Sequence, residues 1–330
     1  MSCALSSSGR RRRFVVRVPS LALLALVGTL GTIGTIVVHV HAAAAAPTHW
    51  SITPSPNRGA GANELTGVAC TSSTFCMAVG SYTASAGVRE GLIESWNGAN
   101  WSMSPMPNEV AGTFSAIACT SPMFCMAVGT YNSGSTLAET WNGDMWSVTP
   151  AGPSLSNVGY GFNSVSCTTP SFCMAVGYYN FVPAFPPGIT VPNTMTEHWN
   201  GSNWTYIQSI EDAMGSTFNG VSCSSSSNCV AVGALYGSTV LIESWKGTTW
   251  TLVSTQSRVS GLLAVSCVSP AACAAVGGSS LAFWNGTAWS YPASQTYLNA
   301  ASCTGPSNCV AVGGPEIDAW NGTKWTMSVS

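Results

Sequence analysis

The chain has 330 residues, 46% of them hydrophobic and only 7% charged, where an ordinary globular domain carries roughly 25% charged residues. Ten basic residues stand against twelve acids, and five of the ten are Arg10 to Arg13 and Arg17, so the rest of the chain is a formal −7. No basic stripe remains that could release counterions from a phosphate backbone, which excludes nucleic acid as a partner.

Residues 1–46 read as a targeting segment outside the fold. Arg10 to Arg13 and Arg17 form its positive region, Leu21 to Val38 its apolar region, and Ala42 to Ala46 a run of small residues for cleavage before Pro47. Arg11-Arg12-Arg13-Phe14 also has the form of a twin-arginine signal. That route carries folded cargo out of a reducing cytosol, so a disulfide-rich chain favours export before folding. Eighteen apolar residues also just reach spanning length, so an uncleaved membrane anchor is the alternative to a signal peptide.

Residues 47–330 read as one repeat domain. Trp50-Ser51-Ile52-Thr53-Pro54 matches Trp101-Ser102-Met103-Ser104-Pro105, an extra strand ahead of the first full unit, expected to join the fold at or near its closure. Six units follow. Each holds a cysteine couple (Cys70/Cys76, Cys119/Cys125, Cys167/Cys173, Cys223/Cys229, Cys267/Cys273, Cys303/Cys309) and then a Trp-x-Gly-x-x-Trp turn, with Asn at the second place in five of them. First cysteines recur 36 to 56 residues apart, the period of propeller blades and not of heptads or short solenoids. Short alternating runs separated by Gly, Pro, Ser and Asn give four strands per unit, a to d, as at Phe114 to Cys119, Phe124 to Tyr131, Thr136 to Trp141 and Trp146 to Pro150. The fold class is therefore all-β, a six-bladed β-propeller of four-stranded antiparallel blades, with the small-residue strand a innermost.

Twelve cysteines in six evenly spaced couples form a disulfide framework in an exported chain, one bridge within each blade between strands a and b, just before their turn. Structural zinc would need two couples to converge, and these lie on six separate blades. The Asn-Gly turns are hairpin signals. A two-residue loop would set Glu94 opposite Trp101 and a four-residue loop would set Trp96 there. Five units carry an acid two residues before the first Trp (Glu94, Glu139, Glu197, Glu243, Asp318), and the fifth unit has Ala282 instead. A group present in nearly every blade serves the scaffold, here by accepting backbone N–H bonds from a neighbour.

The Ser-Cys-x5-Cys-x-Ala-Val-Gly and Trp-Asn-Gly-x-x-Trp units resemble repeat proteins exported by actinobacteria, over nearly all of residues 50–330. Gly247-Thr248-Thr249-Trp250 resembles the end of the Asp-box of sialidase-type propellers, although the Asp would fall at Trp245 and is absent.

Single-blade features are then the candidates for function, and most lie in the b–c and d–a loops on one face of the ring. Tyr178 to Thr196 is the longest b–c loop, with Tyr178, Tyr179, Phe181 and Phe185 as aromatic surface for a sugar or protein. Arg58, Arg89 and Arg258 fall in loops of the same face, and convergence on the axis would make a carboxylate clamp. No His-Glu-x-x-His, Gly-x-Ser-x-Gly or Walker loop occurs, and no cofactor or metal site is implied. The sequence describes a secreted, monomeric binding protein for a glycan or protein ligand at the cell surface. The alternative is a sialidase-like glycoside hydrolase using the three arginines and a carboxylate.

Overall fold

The computed structural model describes residues 3–6, 13–16 and 52–329, apart from 59–60, 85–86, 107–110, 153–158, 183–188, 210–214, 237–238, 257–260 and 315. Six four-stranded antiparallel sheets follow one another along the chain. The first holds Asn63–Ser72, Phe75–Thr83, Arg89–Trp96 and Trp101–Met103, its strands a to d. Blades two, three, four and six repeat that order, beginning at Gly112, Tyr160, Ser216 and Ala300. In blade five the 13-residue strand Ala272–Trp284 takes the places of both b and c, and Ala293–Leu298 pairs with it as well. The a strands line a central channel, so the innermost positions are Gly67, Ala69, Ala118, Ala301 and other small residues.

Local chemistry explains each hairpin. All six couples are bridged within their own blade: Cys70–Cys76, Cys119–Cys125, Cys167–Cys173, Cys223–Cys229, Cys267–Cys273 and Cys303–Cys309. The two cysteines of each couple stand directly opposite one another on strands a and b, with Cα atoms 4.0 Å apart in the first blade and 3.9 Å apart in the fourth. Such bridges belong to an oxidising compartment.

A role confined to stapling the a–b turn understates these cysteines, and Cys229 shows the correction. It is fully buried and shares a core with Phe172, Met174 and Val176 of blade three, so the strand-b sulfur is also seam packing. Cys125 packs in the same way with Met77 and Val79 of blade one. The Cys229 Sγ lies 3.9 Å from Ser225 O. A bridged sulfur has no S–H to donate, so that approach is a packing contact; Cys229 is a scaffold residue and no part of a ligand site.

The c–d turn takes the four-residue register, Trp96 opposite Trp101 and Trp141 opposite Trp146. Asn142 Oδ1 accepts the amides of Asp144 and Met145, and Gly143 takes φ of +100°, which a side chain would oppose. The first Trp of every turn donates its indole N–H to a carbonyl of the a–b turn: Trp96 to Ser73, Trp141 to Pro122, Trp199 to Pro170, Trp245 to Ser226, Trp284 to Pro270 and Trp320 to Pro306. Both turns are thereby tied together on one face of the ring, as their order in the chain requires.

Neighbouring blades are stitched through strand a. A one-residue bulge interrupts it between Leu65 and Gly67, and at the equivalent place in blades two to four. The extra residue reaches the next blade: Thr66 Oγ1 donates to Phe114 O, Asn163 Nδ2 to Phe218 O and Asn219 Nδ2 to Leu262 O. The Ser of the Ser-Cys motif does the same in reverse, with Ser166, Ser222 and Ser266 accepting the amides of Cys223, Cys267 and Cys303. Farther out, the second Trp of a blade donates backwards, Trp146 to Ser104, Trp204 to Thr149 and Trp250 to Thr196.

The repeated acids are buried in this seam: Glu94, Glu139, Glu197, Glu243 and Asp318 are at most 4% exposed. The expected backbone donors are met only in part. Glu197 accepts the amide of Gly152 from the preceding connection, Glu94 accepts the Ser55 hydroxyl, and Glu139 Oε2 has no hydrogen-bond partner among the described residues. Burial pushes the carboxyls of Glu94, Glu139 and Glu197 up from 4.5 to about 7.

Between blades six and one lies a further, three-stranded sheet of Cys3–Ser6, Arg13–Val16 and Ile52–Thr53. Cys3–Ser6 lies against strand a of both blades, and Ile52–Thr53 pairs with Arg13–Val16 instead of joining blade six. Blade six keeps its own fourth strand, Trp325–Val329, so no place in it is open to the extra strand. Trp50 itself lies outside the described residues.

A Cβ on Gly129, in the Ala-Val-Gly motif, would sit 2.0 Å from Thr113 O and 2.8 Å from Phe114 Cα, both backbone atoms. Gly129→Ala should therefore cost roughly 1–3 kcal/mol or more, read as a lowered urea midpoint; an unchanged midpoint would contradict the packing. For a carboxyl raised by folding, the unfolded chain ionises first between pH 4.5 and 7, so stability falls as pH rises through that window. Glu139 alone accounts for up to about 3 kcal/mol. The thermal midpoint should be higher at pH 5 than at pH 8, and Glu139→Gln should flatten the profile and raise the midpoint at pH 8; loss of stability on going from pH 8 to pH 5 would contradict this.

Candidate functional site

Arg58 and Arg89 both lie beside the first strands of blade one, and Arg89 is the first residue of strand c instead of a b–c loop residue. The Arg58 guanidinium lies 4.8 Å from the Tyr82 ring centroid. Arg89 Nη2 donates to Glu64 Oε2 at 2.9 Å and to Ser81 Oγ at 2.8 Å, and the Tyr82 hydroxyl donates to Glu90. Both guanidinium groups thus contact side chains of blade one. Arg258 lies outside the described residues.

The aromatic candidates sit on blade three, two blades along. Tyr178, Tyr179 and Phe181 are not loop residues. Strand b runs on to Phe181 and strand c starts at Val191, with Tyr178 opposite Thr194 and Phe181 opposite Val191. The run Tyr-Tyr-Asn-Phe is a good strand former, so the hairpin lengthens and the connection shrinks to 182–190. Tyr179 Oη accepts from Asn193 Nδ2 at 3.1 Å. Phe181, Val182 and Ile189 form an exposed apolar tip, while Phe185 lies outside the described residues.

A different place in the ring has the shape of a binding site. Between blades five and six, on the face of the disulfides and Asn-Gly turns, is a cavity of about 1060 Å³. Its walls are Phe283, Tyr291, Trp320 and Trp325, and its polar lining includes Asn285, Asp318 and Lys324. Phe283 stacks on Trp320, with centroids 4.7 Å apart and planes at 24°, and touches Trp325 at 6.0 Å. Asp318 is buried, while Asn285 and Lys324 are exposed on the two c–d turns. Asn285 Oδ1 is spent on the amides of Thr287 and Ala288, which leaves its Nδ2 as a donor at the rim.

The cavity has a cause in the sequence. Strand b begins Phe75-Cys76-Met77, Phe124-Cys125-Met126 and Phe172-Cys173-Met174 in the first three blades, and these large side chains fill the seam to the next blade. Blades four and six have Asn228-Cys229-Val230 and Asn308-Cys309-Val310 there, and blade five goes furthest, to Ala272-Cys273-Ala274. Two large side chains are replaced by methyl groups, and the volume they would occupy is open. Phe283 stands where the other blades have Ser95, Thr140, His198, Ser244 and Ala319, so an aromatic ring lines the wall of that opening. Loop length and surface charge carry no trace of this, because the signal lies in the faces of two strands.

The central channel holds a smaller cavity, about 400 Å³, whose lining residues Thr66 and Ser166 already hydrogen-bond across blades. Among the described residues no three His, Cys, Asp or Glu side chains gather as a metal site.

No family model and no curated protein matches the chain. Solved structures do. A fungal lectin from Aleuria aurantia, described as six-bladed with a novel fucose recognition mode, aligns with a TM-score of 0.51 and 12% identity over 80% of this chain and 94% of the lectin. YCF48 bound to D1 peptide aligns at 0.51 and 12% over 83% and 86%. A chain of the mitotic checkpoint complex aligns at 0.56 and 12% over 94% and 89%. At such identity the likeness is one of fold.

The ion pair of Arg89 and Glu64 is half exposed, so Arg89→Ala should change stability by less than about 1 kcal/mol. A urea midpoint shifted by much more would mean that this cluster is structural.

Proposed function

We propose that this chain is an exported binding module that holds a glycan or protein ligand against a rigid ring at the cell surface. The observation that carries the reading is the aromatic cleft between blades five and six, a seam where the repeat gives up its packing. Cores are filled to near crystal density because open volume is costly. A cleft lined by half-buried aromatic rings with a polar rim has the make-up of a ligand site. The disulfides support export, and the solved structures of the same fold include a lectin and a propeller bound to a peptide. The alternative, a glycoside hydrolase, would need Arg58 and Arg89 to turn from Tyr82 and Glu64, the groups they contact here.

The test is to apply the oxidised protein to a glycan array and to cell-envelope extracts, and to follow glycosidic substrates alongside. Saturable binding without release of reducing ends is expected. Absence of binding to either, or turnover of any glycoside, would overturn the reading.

A further inference from the structure

The cleft between blades five and six also constrains what it takes. We propose that it is a subsite for a neutral saccharide residue, seated against Phe283, Trp320 and Trp325 with its hydroxyls met by Asn285, Lys324 and Asp318. The proposal rests on the binding reading above and narrows it to one ligand class and one site.

Three observations separate a sugar from the other candidates. An extended peptide is recognised chiefly by adding a strand to a free sheet edge. Here strand c of both blades is paired to strand d, and of the outer d strands only Ser290 and Trp325 line the cavity, so its walls are side chains and turn ends instead of a run of free backbone. A quaternary ammonium group requires aromatic faces turned toward one centre. Phe283 and Trp320 instead turn faces to each other, and the Lys324 ammonium stands at the rim. A pyranose ring suits what remains. It offers an apolar C–H face to an aromatic wall, and an edge of hydroxyls that both donate and accept. The rim offers donors in Asn285 Nδ2 and Lys324 Nζ, and the buried Asp318 carboxyl lies deeper in the lining as an acceptor. The lining holds one basic and one acidic group, Lys324 and Asp318, so neither sign of ligand charge is selected. The volume of about 1060 Å³ is at the upper end of small-molecule sites.

The probes are the methyl pyranosides of glucose, galactose, mannose and N-acetylglucosamine, with glucuronic acid and choline as charged comparisons. Tryptophan fluorescence of the oxidised protein reports occupancy, because Trp320 and Trp325 line the site. At least one neutral pyranoside should give a saturable change, and Asn285→Ala, on an exposed turn, should weaken it roughly tenfold. The double variant Ala272→Phe with Phe283→Thr gives blade five the Phe124 and Thr140 pair of blade two. It should fill the cavity and abolish the signal with the thermal midpoint unchanged or raised; if it fails to fold, Asn285→Ala carries the test. Response to choline or glucuronic acid alone, or to none of the probes, would overturn the saccharide assignment. Glycan binding on the array that both variants retain would overturn the site and leave the binding module standing.

Discussion

The structure depends on the seam between one blade and the next. Each sheet has two unlike faces. One carries the paired tryptophans, the strand-b cysteine and the buried acid; the other carries Phe, Met, Val and Ile from strands b and c. Neither face is buried within its own blade, so each must find its complement on a neighbour, and the ring follows from repeating that requirement. Hydrogen bonds from Thr66, Asn163, Asn219 and the Ser-Cys serines fix the register of each junction.

That arrangement accounts for a chain with so few charges. Asn Oδ1 caps the c–d turns, indole N–H groups reach the a–b turns, and hydroxyls cross the seams, so neutral groups satisfy the backbone where other domains use ionised ones. Carboxyls occur in the interior, where burial raises Glu94, Glu139 and Glu197 to about 7, so that each is protonated for a substantial fraction of the time at neutral pH. A protonated carboxyl both donates and accepts, which suits a pocket with few partners.

The ring departs from its own rule at two junctions. Between blades five and six the large residues of strand b are missing, and a cleft opens on the face otherwise occupied by scaffold turns. Between blades six and one a three-stranded sheet from the start of the chain is inserted, with Cys3–Ser6 next to both inner strands. Beside it, Ser55 seals Glu94, as Gly152 does for Glu197. The segment preceding blade one therefore plays the part that each connection plays for the blade after it.

The sequence by itself determined the blades. Cysteines six apart force an a–b hairpin, Asn-Gly forces a c–d turn, and a period of about 50 residues multiplies the unit, all through interactions a few residues long. It showed that an acid recurs in five of the six units, a pattern visible without coordinates. It did not determine which partner each acid meets, or that the aromatic run of blade three extends a hairpin. Nor did it show that Cys229 and Cys125 are packed against the preceding blade as well as bridged within their own, since spacing reports the bridge and not the neighbour. Tertiary structure alone decided that Arg58 and Arg89 are engaged within blade one, and that Ala272, Ala274 and Phe283 shape a cleft together with Trp320 and Trp325. The cleft residues are spread over two sheets and more than one repeat of the chain. Their juxtaposition is set by how two faces pack, and packing is a property of the pair of blades that neither strand specifies alone.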